Sequence, residues 1–208
     1  MSYAKFMAAQ LRHPSGFFGR HIMVHLLNRI NVSINNLALE TLQLNSHDHV
    51  LEVGFGGGDL IARMSRILVK GHITGVDYSQ DAVEACTKRF VSLIKAGMLD
   101  LHCANVVELP FETGTFSKAC TVNTIYFWAD PLTALRQIHS VLKAKGKLVV
   151  CFSPRQVMEK RGKVIHHRFM LYEPEEVTAL LTGVGFRHVQ LFFGKNRLGD
   201  CVAVEGTK

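Results

Sequence analysis

Four glycines in five positions, Gly54-Phe55-Gly56-Gly57-Gly58, follow the apolar run Val50-Leu51-Glu52-Val53. Glycine lacks a Cβ, so such a loop can bring its backbone N–H groups close to a ligand. Beyond the loop, Leu60, Ile61, Met64, Ile67 and Leu68 recur at helical spacing. Eighteen residues separate Gly58 from Asp77, which closes a second apolar run, Ile73-Thr74-Gly75-Val76. An acidic residue there, at the tip of the next parallel strand, can accept hydrogen bonds from ribose hydroxyls. A nucleoside-containing cofactor is expected.

The loop also narrows which cofactor. No Lys-Ser or Lys-Thr follows the glycines, so a phosphate-binding loop for nucleotide hydrolysis is excluded. A dinucleotide G-x-G-x-x-G starting at Gly54 would need glycine where Asp59 stands. An acidic side chain at the helix start also repels a pyrophosphate. Glu52, just before the loop, suits a cofactor with a positive centre or an amino group. These three points favour S-adenosylmethionine over a nicotinamide dinucleotide.

The elements that carry these residues follow a βα rhythm from residue 49. Strands are expected at 49–53, 72–76, 98–103, 117–122 and 146–152, with helices at 58–69, 80–95 and 131–143. Ser79 and Asp130-Pro131 look like helix starts. This alternation means a parallel sheet covered on both faces, an α/β doubly wound fold. A last helix at 173–184 precedes two apolar runs, 186–193 and 201–205, joined by a short glycine-bearing turn. Strands so joined are antiparallel. Residues 1–46 read as an N-terminal helical arm, with helices at 4–11, 17–29 and 34–42 and Ser33 as a cap. They are too few for a separate domain.

With 208 residues, 48% hydrophobic and 20% charged, one soluble domain is expected. No run approaches the ~18 apolar residues of a membrane-crossing helix, and the N-terminus lacks the apolar core of a signal peptide, so a cytoplasmic protein is expected. The net charge of +7 is dispersed, densest at Arg155, Lys160, Arg161, Lys163 and Arg168. It reads as a solvated basic face, with nucleic acid the weaker alternative partner. The five cysteines form no C-x-x-C pair and four lie in strand-like runs. Buried structural thiols are expected, and no metal site.

The ordered blocks from Val50 to Gly58, then Gly75-Val76-Asp77-Tyr78-Ser79, Leu109-Pro110-Phe111, Gly114-Thr115-Phe116, Trp128-Ala129-Asp130-Pro131 and Tyr172-Glu173-Pro174, resemble those of class I S-adenosylmethionine-dependent methyltransferases. Within them, the chain is similar to the small ubiquinone/menaquinone-biosynthesis (UbiE-like) type. The resemblance covers residues 47–208, the methyltransferase domain. It implies a Rossmann-like seven-stranded sheet of order 3-2-1-4-5-7-6 with strand seven antiparallel. It implies that Gly54, Gly56 and Gly58 pass the methionine portion, with Glu52 holding the loop or facing the amino group. Asp77 would take the ribose hydroxyls and Tyr78 would pack on adenine. The third strand's tip normally offers an acidic residue to the adenine amino group. Here that position is Asn105, still able to accept, with Val106 beside the ring.

In this fold the segment after strand four faces the methyl group. Asn123 would touch cofactor or acceptor, and Tyr126, Phe127 and Trp128 would line a pocket for an aromatic or apolar small-molecule acceptor, or would simply be core. Asn123-x-x-Tyr126 faintly echoes a motif of enzymes that methylate nucleic-acid amino groups, without its two prolines. Candidate bases are His166 and His167, between strand five and the last helix, with Tyr126 beside them. His25 in the arm is a candidate for substrate contact. In-line transfer to a positioned acceptor needs no base at all. Phe6, Phe17, Phe18 and Ile22 are candidates for a greasy pocket, a membrane-contacting face or a homodimer interface. The expected activity is methyl transfer to a small molecule. The alternatives are a methyltransferase of nucleic acid or protein, and a cofactor-binding protein without transfer.

Overall fold

The computed structural model describes residues 31–160, 170–196 and 199–208. Seven strands form one sheet in the order β3-β2-β1-β4-β5-β7-β6. They are β1 (His49–Val53), β2 (His72–Asp77), β3 (Leu99–Cys103), β4 (Phe116–Val122), β5 (Leu142–Phe152), β6 (Arg187–Asn196) and β7 (Gly199–Thr207). The five strands from β3 to β5 run parallel. β7 lies antiparallel between β5 and β6. The expected sheet order and its reversed strand are both present. Residues 4–11 and 17–29 lie outside the described residues.

Strand composition dictates the layers. The central strands are apolar on both sides because helices cover both faces. On one face pack α1 (Val32–Leu42), α2 (Asp59–Met64), α3 (Gln80–Arg89) and α4 (Val91–Lys95), through Ile34, Leu60, Ile61 and Phe90. On the other pack α5 (Pro131–Val141), α6 (Arg155–Glu159) and α7 (Pro174–Val184), through Leu135, Ile138, Met158, Val177 and Leu181. The parallel strands all end at one edge, where ligands bind in open α/β sheets.

Several boundaries differ from expectation, each for a local reason. The helix expected at 58–69 stops at Met64. Its apolar spacing continues because turns carry Leu68 inward, 1% exposed. The helix expected at 80–95 breaks at Phe90, which leaves helical geometry and is buried. β5 begins four residues earlier than expected, at Leu142. Its basic segment is held by Lys145 N–H to the Lys208 carbonyl and Lys208 N–H to the Gly146 carbonyl. Ser33 lies inside α1, while Asn31 takes the capping position without a side-chain cap bond. Ser79 and Asp130 do cap, accepting from the Ala82 and Thr133 amides. All five cysteines are thiols outside any disulfide. Cys103 is exposed, against the expectation of buried thiols, because it sits on the edge strand beyond its last covered position.

At the opposite end of the sheet, the His49 ring meets His72 at 4.9 Å and Phe116 at 4.7 Å between centroids. Burial, then the neighbouring His72 and Lys143 charges, push the His49 imidazole down to about 4 from 6.5. The unfolded chain therefore takes up a proton that the folded chain refuses between these values. The melting temperature is expected to fall as pH drops from about 6.5 to about 4, and His49→Gln should flatten that fall.

Candidate functional site

The glycine loop leaves β1 still paired with β2. The Gly54 amide donates to the Val76 carbonyl (2.7 Å), and the Gly58 amide closes a turn onto Phe55 (2.8 Å). Gly54, Gly56 and Gly58 all have positive φ, at 76°, 49° and 72°. At Gly54 the requirement is double: a Cβ there would also lie 2.2 Å from Thr124 Cγ2. Gly54→Ala is expected to cost on the order of 2–3 kcal/mol. Chemical denaturation measures it, and a cost under about 0.5 kcal/mol would contradict the packing. At Gly56 a Cβ would meet nothing within 4 Å, so open space adjoins the loop there.

Asp77 ends β2 against this loop. Its Oδ2 accepts the Gly56 amide at 2.8 Å and its Oδ1 the Ser79 amide at 2.9 Å. Tyr78 beside it is 73% exposed. The neighbouring strand brings Asn105 to the same edge: Cys103 pairs with Asp77, and the Ala104 amide donates to the Asp77 carbonyl. Asn105 is exposed, and its Oδ1 accepts the Val107 amide (3.3 Å) in its own turn. Val106, expected beside the ring, belongs to the core at 8% exposure.

Glu52 is the outlier. It sits in β1 between Gly75 and Cys120, only 4% exposed. Its Oε2 is the one buried side-chain oxygen or nitrogen without a hydrogen-bond partner among the described residues. Burial, then the negative charges of Asp77 and Asp59, push its carboxyl up to about 8. A buried carboxyl with one oxygen unpartnered next to a glycine loop fits a cationic or amino group of a ligand. Asp59, at the start of α2, is differently placed: its Oδ2 accepts Asn35 Nδ2 (3.0 Å) and Arg63 Nε (2.7 Å).

After β4 the chain turns sharply. Asn123 has φ 58°, a left-handed conformation that asparagine tolerates better than most residues. Its amide donates to the Cys151 carbonyl (2.8 Å), and its Nδ2 to Asn31 Oδ1 (3.0 Å). Thr121 Oγ1 bonds the Val53 carbonyl (2.9 Å) and contacts the Thr124 hydroxyl, stitching this turn to the end of β1. Tyr126 is 2% exposed, and its hydroxyl bonds both the carbonyl (3.0 Å) and the amide (2.5 Å) of Ser153. Trp128, 6% exposed, belongs to the same core. Tyr126 and Trp128 are spent on packing and on clamping the end of β5, and Phe127 alone of the three is half-buried.

His25, His166 and His167 lie outside the described residues, as do Phe6, Phe17, Phe18, Ile22, Arg161, Lys163 and Arg168. Arg155 of the basic cluster is ion-paired with Glu176 (2.7 Å) and donates to the Leu171 carbonyl (3.0 Å). Among the described residues, no group of three or more His, Cys, Asp or Glu could hold a metal ion. Sequence reasoning missed Asn31 and Asn35, whose contacts lie 92 and 24 residues away in the chain. Only the density of asparagines at 31, 35 and 36 hinted at them.

A sequence profile described as "Methyltransferase domain" matches residues 51–150. The chain is 26% identical over 126 residues to an uncharacterised methyltransferase, YdaC, of Bacillus subtilis (strain 168), covering 61% of this chain and 67% of that one. It is 27% identical over 149 residues to an O-methyltransferase of Penicillium expansum, covering 69% and 54%. It is 29% identical over 131 residues to the ubiquinone/menaquinone biosynthesis C-methyltransferase UbiE of Geobacter sp. (strain M21), covering 60% and 56%. The match thus spans little more than half the length of these last two relatives. Among solved structures, a SAM-dependent methyltransferase from Aquifex aeolicus shares the fold with TM-score 0.73 at 19% identity, over 89% of this chain and 96% of that one. A possible histamine N-methyltransferase from Thermotoga maritima shares it with TM-score 0.70 at 24% identity, over 98% and 99%.

Proposed function

We propose that the chain is a class I S-adenosylmethionine-dependent methyltransferase, of UbiE-like type, that transfers a methyl group to a small-molecule acceptor; the methyltransferase-domain match over residues 51–150 and the shared fold support this. The observation that carries this reading is the buried carboxyl of Glu52, whose Oε2 lacks a hydrogen-bond partner, beside the glycine loop and Asp77. A pyrophosphate-bearing cofactor would meet the acidic side chains of Glu52 and Asp77 here, whereas a cofactor with an amino group and a sulfonium is drawn to them.

We assign Asp77 to the ribose hydroxyls, the exposed ring of Tyr78 to adenine, and Asn105 to the adenine amino group. Gly54, Gly56 and Gly58 admit the methionine portion, and Glu52 takes its amino group. When bound, S-adenosylmethionine supplies a methyl group on a positively charged sulfur. Asn123 and Phe127 border the acceptor. Their turn is fixed by Thr121, Thr124 and the Tyr126–Ser153 clamp, so positioning does much of the work. Residues 1–46 are assigned to an N-terminal arm, of which α1 packs on the sheet and the part before it is assigned to the acceptor side. The hydrogen bond from Asn123 Nδ2 to Asn31 Oδ1 supports this, since it brings the residue before α1 to that turn. His166, His167 and His25 are the side chains we assign to an acceptor that must lose a proton. Among the described residues, no helix is long and apolar enough to cross a membrane.

Calorimetry with S-adenosylmethionine, S-adenosylhomocysteine and NAD tests the cofactor, and binding of NAD alone would overturn the reading. Incubation of a cell extract with methyl-labelled cofactor, read by mass spectrometry, tests the acceptor class. A labelled small molecule is the expected product. Label found only in RNA, DNA or protein would defeat the small-molecule assignment.

A further inference from the structure

We propose that Arg89 and Cys86 are positioning residues that hold the glycine loop in its ligand-ready shape from the end of α3. The proposal rests on the functional reading above only for the identity of the ligand.

Three contacts carry it. Arg89 Nη1 donates to the Gly57 carbonyl, and its guanidinium lies 4.8 Å over the Phe90 ring. The Cys86 thiol, 2% exposed, donates to the Gly56 carbonyl at 3.4 Å. Gly58 rests on the same two elements: a Cβ there would lie 2.5 Å from Phe90 Cε2 and 3.0 Å from Cys86 Sγ. With the Gly56 amide already given to Asp77, the N–H of Gly56 and the carbonyls of Gly56 and Gly57 are all fixed by side chains from β2 and α3.

A loop this rich in glycine has more conformational freedom to lose than any other of its length. Ordering it before the ligand arrives removes that cost from binding. Arg89 supplies a charge-assisted bond, the stronger kind, and its stacking on Phe90 fixes the guanidinium. Burial, then Glu52, pushes the Cys86 thiol up to about 12, which keeps its proton in place as the donor. The break between α3 and α4 at Phe90 now has a use. It turns the ring beneath both Arg89 and the loop.

Arg89 is exposed, so its removal opens no cavity. Arg89→Ala is expected to weaken S-adenosylhomocysteine binding about tenfold, to leave the ligand-free melting temperature unchanged, and to speed hydrogen exchange at the Gly56 amide. Arg89→Lys should recover part of the affinity, since it keeps one charged donor. Cys86→Ser keeps a donor and should bind more tightly than Cys86→Ala. Unchanged affinity, unchanged exchange, or lost affinity that merely follows a lower ligand-free melting temperature would overturn the proposal. If the wild-type chain binds neither S-adenosylmethionine nor its homocysteine product, the functional reading fails. Exchange at Gly56 in Arg89→Ala then decides the clamp by itself.

Discussion

Asp77→Ala is expected to reduce affinity for S-adenosylmethionine and S-adenosylhomocysteine by about a hundredfold or more. Two losses combine. The ribose hydroxyls lose a charged acceptor, and the amides of Gly56 and Ser79 lose the oxygens that hold them at 2.8 and 2.9 Å. Asp77→Asn separates the two, because it keeps one accepting oxygen and removes the charge. Its affinity should fall between wild type and Asp77→Ala. Isothermal calorimetry measures both variants. A loss below about threefold in Asp77→Ala would remove Asp77 from the cofactor site.

The second large effect belongs to Glu52. Its folded carboxyl titrates near 8, against 4.5 for the free group. The unfolded chain thus releases this proton at lower pH than the folded chain does. The stabilising contribution is complete below about 4.5 and is lost as pH rises through about 8. At about 1.4 kcal/mol per unit, the ligand-free chain loses on the order of 4–5 kcal/mol across that window. Glu52→Gln should remove this slope in denaturation measured at several pH values. His49 works in the opposite direction and at lower pH, so the single variants distinguish them. Ligand binding gives a sharper test. If an amino group of the cofactor comes to rest on Glu52, the charged form becomes the favoured one. Binding near neutral pH should then release about one proton, seen by calorimetry in two buffers of different ionisation heat. Glu52→Gln should release none. A wild-type chain that releases no proton would sink the assignment of Glu52 to that group.

The parts of the fold that were legible in the sequence are those with a period. The runs at 49–53 and 72–76 read as strands because apolar, β-branched residues leave no other economical packing. The last two strands read as antiparallel because the turn between them is too short for a crossover. Asp77 and the positive-φ glycines were legible because one residue type meets a backbone demand at a fixed distance from a strand end. What stayed hidden depends on distant pairs. Nothing near Asn35 in the chain points to Asp59, and nothing near Arg89 points to the Gly57 carbonyl. The aromatic row at 126–128 carries no period, so the sequence could not separate the buried Tyr126 and Trp128 from the half-buried Phe127. The strand start at Leu142 was masked by the basic residues after it. That segment is irregular, with Lys145 in the left-handed region and the pairing to β4 shifted across it, and it is held by bonds to Lys208, sixty-three positions from Lys145.

The burial of Trp128 also gives the protein its own optical gauge. It is the chain's single tryptophan, set in the core two residues after the Tyr126 clamp on Ser153. Its fluorescence in the ligand-free state should be that of an indole shielded from water, with emission shifted to the blue. Any event that loosens the turn from Asn123 onward, whether an altered Tyr126 or a docking acceptor, should move that colour without an attached dye. Titrations with candidate acceptors can therefore be followed on the unmodified chain, from the residue that lies nearest the question.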